Sequence, residues 1–129
     1  MMMQCEETNE VLETYLESLV PLLEQRNLVG YVAARNYRKI GDEIREYLQI
    51  KSELFIKYGE ECLDEDGNFS GSYSIDPTSS DYETFRHALS EISSVRQNIQ
   101  ILTISPNDCI GILSGNEFLA LDWMIEDGD

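Results

Sequence analysis

Residues 29–58 have the sequence VGYVAARNYRKIGDEIREYLQIKSELFIKY, and this stretch decides the fold. Its apolar residues recur in steps of three and four from Val29 to Tyr58, which predicts one long amphipathic helix. Charged residues of both signs occupy the opposite face, as is typical of a solvent-exposed helix surface. Gly59 stands where a C-terminal cap is expected. A helix of this length needs the other elements of the chain to cover its apolar face.

The overall charge limits which partners the chain can bind. Its 129 residues include 25 acidic and 9 basic side chains, giving a net charge of −16, and 42% of the residues are hydrophobic. That hydrophobic content predicts a single domain over residues 1–129 with a packed core, in which residues 1–6 form a short strand or a frayed tail. The strong negative charge disfavours direct binding to nucleic acid or to an anionic membrane, and favours a basic partner.

The charge is distributed unevenly along the chain. Residues 35–58 carry a net charge of +2, whereas residues 59–129 carry −13 and contain only two basic residues, Arg86 and Arg96. The six basic side chains of the long stretch are a candidate phosphate-binding strip: Arg35, Arg38, Lys39, Arg45, Lys51 and Lys57. Acidic residues lie between them at helical spacing, which favours a mixed solvated face over nucleic-acid binding.

A second amphipathic helix is predicted over residues 9–26, before the long stretch. Thr8 or Asn9 can cap it, and Pro21 should kink it or end its regular part. The turn near Asn27 is short, so we expect this helix and the long one to be antiparallel neighbours.

The remaining sequence predicts two shorter helices and a small sheet. Turn signals in residues 60–77 indicate a hairpin, residues 95–104 indicate a strand, and capping boxes at Ser80–Glu83 and Ser114–Glu117 open helices over about 81–94 and 115–126. The predicted fold class is therefore α+β, with two long antiparallel helices, two shorter helices and a small antiparallel sheet or hairpin.

The cysteines and the apolar runs indicate a cytoplasmic protein. Cys5, Cys62 and Cys109 form no C-x-x-C pair, so no zinc or redox motif is indicated, and reduced thiols are favoured over one disulfide. No apolar run approaches membrane-spanning length, and the start MMMQCEETNE lacks the basic and apolar regions of a secretory signal.

Residues 64–68, DEDGN, begin like an EF-hand calcium loop. The match then fails, because Phe69 stands where the loop needs glycine and Ile75 stands where it needs a bidentate glutamate. An acidic turn bent by Asp66-Gly67 is the better interpretation, with a metal-binding module over Asp64–Asp76 kept as a weaker alternative. We expect no metal and no cofactor.

His87 is the only histidine of the chain, and it lies in the middle of a predicted helix. Glu83 and Glu91 lie four residues before and after it, so an exposed helix pair explains it better than catalysis does. No nucleophile, phosphate-loop or metalloprotease motif occurs. We therefore expect a protein that is not an enzyme.

Two groups of acidic residues are the candidate partner-binding residues. The first group falls within 24 residues that contain no Lys or Arg: Glu60, Glu61, Asp64, Glu65, Asp66, Asp76, Asp81 and Glu83. The second group lies at the C-terminus: Asp122, Glu126, Asp127 and Asp129. A solvated surface explains both groups equally well. In the functional interpretation, the carboxylates occupy a cationic nucleic-acid channel of a partner, with Phe69 or Tyr73 as anchors.

The order of motifs resembles small acidic proteins of phages and prophages of Gram-positive bacteria. The resemblance covers residues 29–127 and rests on IKYG at residues 56–59, then DEDGN, YSID, YETFRHALSEI, NIQILTI and LALDWMIED. It implies a phage origin and action in a bacterial cytoplasm. It carries over no catalytic residues. Small acidic phage proteins are often inhibitors of host defence, such as anti-CRISPR proteins, and others serve in virion assembly.

Two hypotheses of function follow. The first is a non-enzymatic inhibitor that mimics nucleic acid and binds a basic surface of a host defence complex. The alternative is an accessory protein of phage morphogenesis that acts through protein–protein contact. The sequence leaves open whether the long helix pairs with a second copy to form a homodimer.

Overall fold

The computed structural model describes residues 1–127 and divides the chain into two compact units. The terminal unit consists of Met1–Ile44 together with the segment that begins at Arg96, and the middle unit is Arg45–Val95. Within the described residues, the fold is mixed α+β, with five α-helices and two antiparallel two-stranded sheets, so the predicted class is confirmed. No helix in this part of the chain has the length and apolar character needed to cross a membrane.

The terminal unit contains three helices and one of the sheets. Its elements are strand β1 (Met2–Thr8), helix α1 (Asn9–Leu19), helix α2 (Leu28–Glu43), strand β4 (Arg96–Leu102) and the short helix α5 (Gly115–Ala120). The middle unit contains helix α3 (Arg45–Tyr58), strands β2 (Glu60–Leu63) and β3 (Phe69–Ser74), and helix α4 (Tyr82–Ser93).

Strand β4 and the residues that follow it pair with two other segments of the terminal unit. Strand β1 pairs with it antiparallel, from Met2 opposite Leu102 to Thr8 opposite Arg96. On the next stretch, Ile104 forms a parallel bridge with Ile125, where the Ile104 N–H donates to the Met124 carbonyl at 3.0 Å. Residues 1–6 were predicted to form a short strand or a frayed tail, and the strand is the alternative that the structure shows, because long-range pairing holds Met2–Thr8.

The core of the terminal unit combines the apolar stripes of both helices with one face of the sheet. Helices α1 and α2 pack against each other, and α2 packs against β4. The fully buried apolar side chains of these elements are Leu12, Leu19, Val29, Ala33, Ile40 and Ile101. Burying each large side chain of this kind contributes about 1.5–3 kcal/mol of transfer free energy, so these contacts supply most of the driving force.

Asn36 is a polar residue in this apolar interface. It is 0% exposed, and it lies on the face of α2 that carries Val29 and Ile40. Its amide nitrogen donates to the Leu102 carbonyl at 2.9 Å, and its amide oxygen accepts from the Leu102 N–H at 2.8 Å. The side chain therefore satisfies both backbone groups of one β4 residue, as a neighbouring strand would do.

The middle unit has a small aromatic core. Phe85 of α4 is 4% exposed and meets the ring of Phe55 on α3 edge to face at 4.9 Å. Gly59 ends α3, and its N–H donates to the Phe55 carbonyl at 2.8 Å. A Cβ at this position would lie 2.7 Å from the Ser74 carbonyl oxygen, so the turn from α3 into β2 requires glycine.

The single long helix predicted over residues 29–58 is wrong. The structure forms two helices instead, because Ile44 has φ −101° and ψ 12° and interrupts the helical conformation between α2 and α3. No residue is inserted at the interruption, so the apolar spacing from Ile40 through Ile44 to Tyr47 stays in phase. The boundary between the two units lies at this same position.

Two further helix predictions need correction. The capping box at Ser80–Glu83 does not form, because the cap residue Asp81 has helical angles and makes no side-chain cap hydrogen bond, while Glu83 pairs with Arg86 at 2.9 Å. The predicted helix 115–126 ends at Ala120, and a 3₁₀ turn follows over Asp122–Met124.

Other details are confirmed. Thr8 caps α1 through a 3.3 Å hydrogen bond from the Val11 N–H, and the α-helical part ends before Pro21, which lies in a 3₁₀ turn. The capping box that begins at Ser114 is complete, with both reciprocal hydrogen bonds to Glu117 present. These local signals succeed because each depends only on neighbours in sequence.

Replacing Asn36 with alanine tests the role of its amide. We expect Asn36→Ala to lower the free energy of unfolding by about 3 kcal/mol, because two backbone groups of Leu102 lose their partners. Urea unfolding followed by circular dichroism measures this. The exposed Asn116→Ala is the control and should change stability by less than about 0.5 kcal/mol. Equal free energies of unfolding for the two variants would contradict the role assigned to the Asn36 amide.

Candidate binding surfaces

The first acidic group surrounds the hairpin of the middle unit. Strands β2 and β3 are joined by a turn in which the Asp64 N–H donates to the Asn68 carbonyl at 2.7 Å. Asp64 Oδ1 accepts from the N–H groups of Asp66 and Asn68, both at 2.9 Å, and Gly67 adopts φ 82°. An aspartate that organises its own turn in this way is a common hairpin device. The acidic turn predicted from Asp66-Gly67 is therefore present.

All eight carboxylates of this group belong to exposed residues of the middle unit. Three have partners: Asp64 in its turn, Asp76 with Thr78, and Glu83 with Arg86. Five make no side-chain hydrogen bond or ion pair with another part of residues 1–127: Glu60, Glu61, Glu65, Asp66 and Asp81. These five carboxylates therefore present negative charge that pairs with no basic side chain within residues 1–127.

Apolar side chains accompany these charges on the hairpin. Leu63 is 62% exposed and lies opposite Phe69, which is 45% exposed. The ring of Phe69 meets the half-buried ring of Tyr73 edge to face at 5.2 Å. An exposed aromatic pair with an adjacent leucine is a common anchor of protein–protein contacts.

His87 and the EF-hand-like segment both make local contacts in the middle unit. His87 Nε2 lies 2.9 Å from Glu91 Oε1 on exposed side chains of α4, one helical turn apart. Within residues 1–127, no three His, Cys, Asp or Glu side chains gather in a geometry that could hold a metal ion. Asp64 Oδ1, the first ligand of the EF-hand-like pattern, already accepts two backbone hydrogen bonds.

The second acidic group lies in the terminal unit and lines one cavity. Asp122, Glu126 and Asp127 meet there around a volume of about 430 Å³, whereas Asp129 lies outside the described residues. Asp122 and Asp127 are exposed, and Glu126 is half-buried and accepts a hydrogen bond from the Thr103 hydroxyl at 2.9 Å. The eleven predicted carboxylates within the described chain are thus divided eight to three between the two units.

Sequence reasoning missed the apolar part of this cavity. Met1, Met2, Met3 and Trp123 line it together with the carboxylates. Their grouping depends on β1 pairing with β4 and on the bridge from Ile104 to Ile125, and neither pairing has a local sequence signal. The one available sequence signal was WMIED at residues 123–127, where the chain's only tryptophan lies close to two carboxylates.

The three cysteines are free thiols, and two of them are buried. Burial raises the pKa of Cys5, to which the charge of Glu7 adds, and burial likewise raises the pKa of Cys109, to which Asp108 adds. A raised thiol pKa lowers the thiolate fraction, so these two positions are unsuited to nucleophilic chemistry.

Comparison of the chain with protein-family models, with curated proteins and with solved structures finds no match. The surfaces described above therefore carry the argument about function.

The turn after β3 gives a test by pH. The Thr78 N–H and the Thr78 hydroxyl both donate hydrogen bonds to the Asp76 carboxylate. These two bonds, of which the backbone one has the larger effect, hold the pKa of Asp76 below its ordinary value of 3.8. Since the folded pKa is depressed, ionised Asp76 stabilises the fold at neutral pH, and this contribution is lost as the pH falls through the lowered pKa.

We expect Thr78→Val to raise the pKa of Asp76, because the hydroxyl hydrogen bond is removed and the backbone one remains. Carboxyl-carbon NMR titration measures the pKa directly. Thr84→Val, on the exposed surface of α4, is the matched control and should leave the pKa of Asp76 in place. An unchanged pKa in Thr78→Val would show that the hydroxyl does not hold the carboxylate.

Proposed function

We propose that this chain is a non-enzymatic phage protein that binds a basic, nucleic-acid-handling surface of a host defence complex and blocks it. The observation that carries the binding mode is the exposed run of eight carboxylates over residues 60–83, without a Lys or Arg among them. The phage origin and the defence complex as target rest on the resemblance over residues 29–127.

The electrostatic argument concerns the approach of the two proteins. A groove that binds nucleic acid attracts any rigid array of negative charge, because its field at long range does not distinguish a carboxylate from a phosphate. The hairpin turn is held by backbone and Asp64 hydrogen bonds, which keeps nearby Glu65 and Asp66 on a defined turn. Ordered charges lose less conformational entropy on binding than charges on a flexible tail.

The apolar residues of the hairpin supply short-range contact. Leu63 and Phe69 are exposed and adjacent across the strands, so a partner that covers them gains hydrophobic contact beside the acidic turn. These same residues also favour the alternative, a morphogenesis accessory that binds through apolar contact. The two functions differ in salt dependence, since salt screens charge and leaves apolar contact in place.

The test replaces three carboxylates of the hairpin that have no partner among residues 1–127. A partner is captured from a Gram-positive host lysate on the wild-type protein and on the triple variant Glu60→Gln, Glu61→Gln and Glu65→Gln. We expect retention by the variant to fall about tenfold, and wild-type retention to fall similarly between about 0.05 M and 0.5 M salt. The captured partner should bind a DNA or RNA duplex in a gel-shift assay, and wild-type protein should displace that duplex.

The matched control carries the same change in charge in the terminal unit: Glu10→Gln, Glu17→Gln and Glu24→Gln, all exposed positions. It should retain the partner as the wild-type protein does. Equal retention by both triple variants, or retention that is indifferent to salt, would refute the acidic mode and favour the morphogenesis alternative. Displacement of nucleic acid by the hairpin variant would also refute it.

A further inference from the structure

A groove in the terminal unit has the composition of a binding site. The cavity of about 430 Å³ that holds Asp122, Glu126 and Asp127 is joined by a second cavity of about 340 Å³, and Met1, Thr103 and Glu126 line both. The second cavity lies along the first turns of α2, where Leu28 is 50% exposed and Tyr31 is 58% exposed. Each volume falls in the range of small-ligand sites in proteins.

The charge of the groove has one sign. Asp108 lines the second cavity, so the two cavities together hold four carboxylates. Among the residues that the structure describes, no Lys, Arg or His lines either cavity. Neither Asp122 nor Asp127 makes a side-chain hydrogen bond or ion pair within residues 1–127. A positively charged ligand therefore matches the groove.

Apolar and aromatic groups make up the rest of the lining. Trp123 stacks on Tyr15 with the ring centroids 4.4 Å apart, which fixes the indole at the wall of the larger cavity. Trp123 Nε1 is buried and has no hydrogen-bond acceptor among residues 1–127. The methionines and the indole make much of the lining apolar, so a matching ligand carries apolar groups as well as positive charge.

We propose that this groove binds a short segment of a partner protein in which an arginine lies between apolar residues. The arginine would meet Asp122 and Asp127, because a guanidinium group binds carboxylates through two parallel hydrogen bonds and packs well against indole rings. The neighbouring apolar side chains would cover Leu28, Tyr31 and the methionines. A metal ion or a simple amine would leave this apolar lining uncovered.

Other occupants fit the groove less well. Nucleic acid would bring phosphates against four carboxylates. A second copy of this chain has a net charge of −16, so its approach to an acidic groove would be opposed. This proposal does not depend on the acidic hairpin, because every residue that lines the groove belongs to the terminal unit.

The probe is an acetylated and amidated tripeptide of leucine, arginine and leucine. Its control replaces arginine by citrulline, which keeps the shape of the side chain and removes its charge. Trp123 is the only tryptophan, so its fluorescence emission and its single indole N–H signal in NMR both report on this cavity. We expect a saturable change in both signals with the arginine peptide, and binding about tenfold weaker with the citrulline peptide.

The variant Asp122→Asn with Asp127→Asn should weaken binding of the arginine peptide about tenfold. Glu126 is left unchanged because its carboxylate holds the Thr103 hydroxyl. The matched control, Glu17→Gln with Glu24→Gln, makes the same change in charge outside the groove and should bind within about twofold of the wild-type protein. The triple hairpin variant should also bind the arginine peptide with wild-type affinity. A failure of the proposed function would therefore leave this peptide binding intact.

Three outcomes would overturn the proposal. They are equal affinity for the arginine and citrulline peptides, equal affinity of the two charge variants, and no response of Trp123 at about millimolar peptide.

Discussion

The terminal unit depends on the pair of hydrogen bonds between the Asn36 amide and the backbone of Leu102. A helix and a strand that pack through apolar side chains can slide past each other at low cost, because hydrophobic contact is not directional. A buried amide that must meet one N–H and one carbonyl allows a single register. The next two residues bind two distant segments of the chain: Thr103 donates to Met1, and Ile104 bridges to Ile125. The groove is assembled at these residues, so its geometry follows from the register that Asn36 fixes.

Many elements of the fold could be predicted from local signals, although the equally local capping box at Ser80–Glu83 does not form. The apolar stripes of the helices, the Asp66-Gly67 turn and the cap at Ser114 all depend on residues within a few positions of each other. The interruption at Ile44 could not be predicted, because it leaves the helical period unchanged. The buried role of Asn36, by contrast, could have been predicted from its position in the sequence. It lies seven residues after Val29 and four before Ile40, so the helical period places it among core residues, and a polar residue there requires a buried partner.

The two candidate sites also differ in whether a local signal in the sequence could reveal them. The carboxylates from Glu60 to Glu83 are close in sequence, and they remain together in one unit for that reason. The cavity joins Met1–Met3 to Asp122–Asp127 across more than a hundred residues of chain, through strand pairings that composition does not encode. Charge counts identified both groups as candidates, but they could not show that one is an open hairpin and the other a lined cavity.

That difference has a physical consequence for how the two surfaces would act. Carboxylates in open solvent around Asp66 interact with a partner through water and are screened within about 10 Å, so they chiefly raise the rate of encounter. The carboxylates of the cavity stand beside Trp123 and the methionines, so a ligand that carries apolar groups next to its positive charge would be held by contact as well as by charge and would leave more slowly. An acidic protein that used only the first kind of surface would bind many basic proteins weakly. The lined cavity is the feature that can select one of them, because a partner must present a cation of fitting shape between apolar side chains.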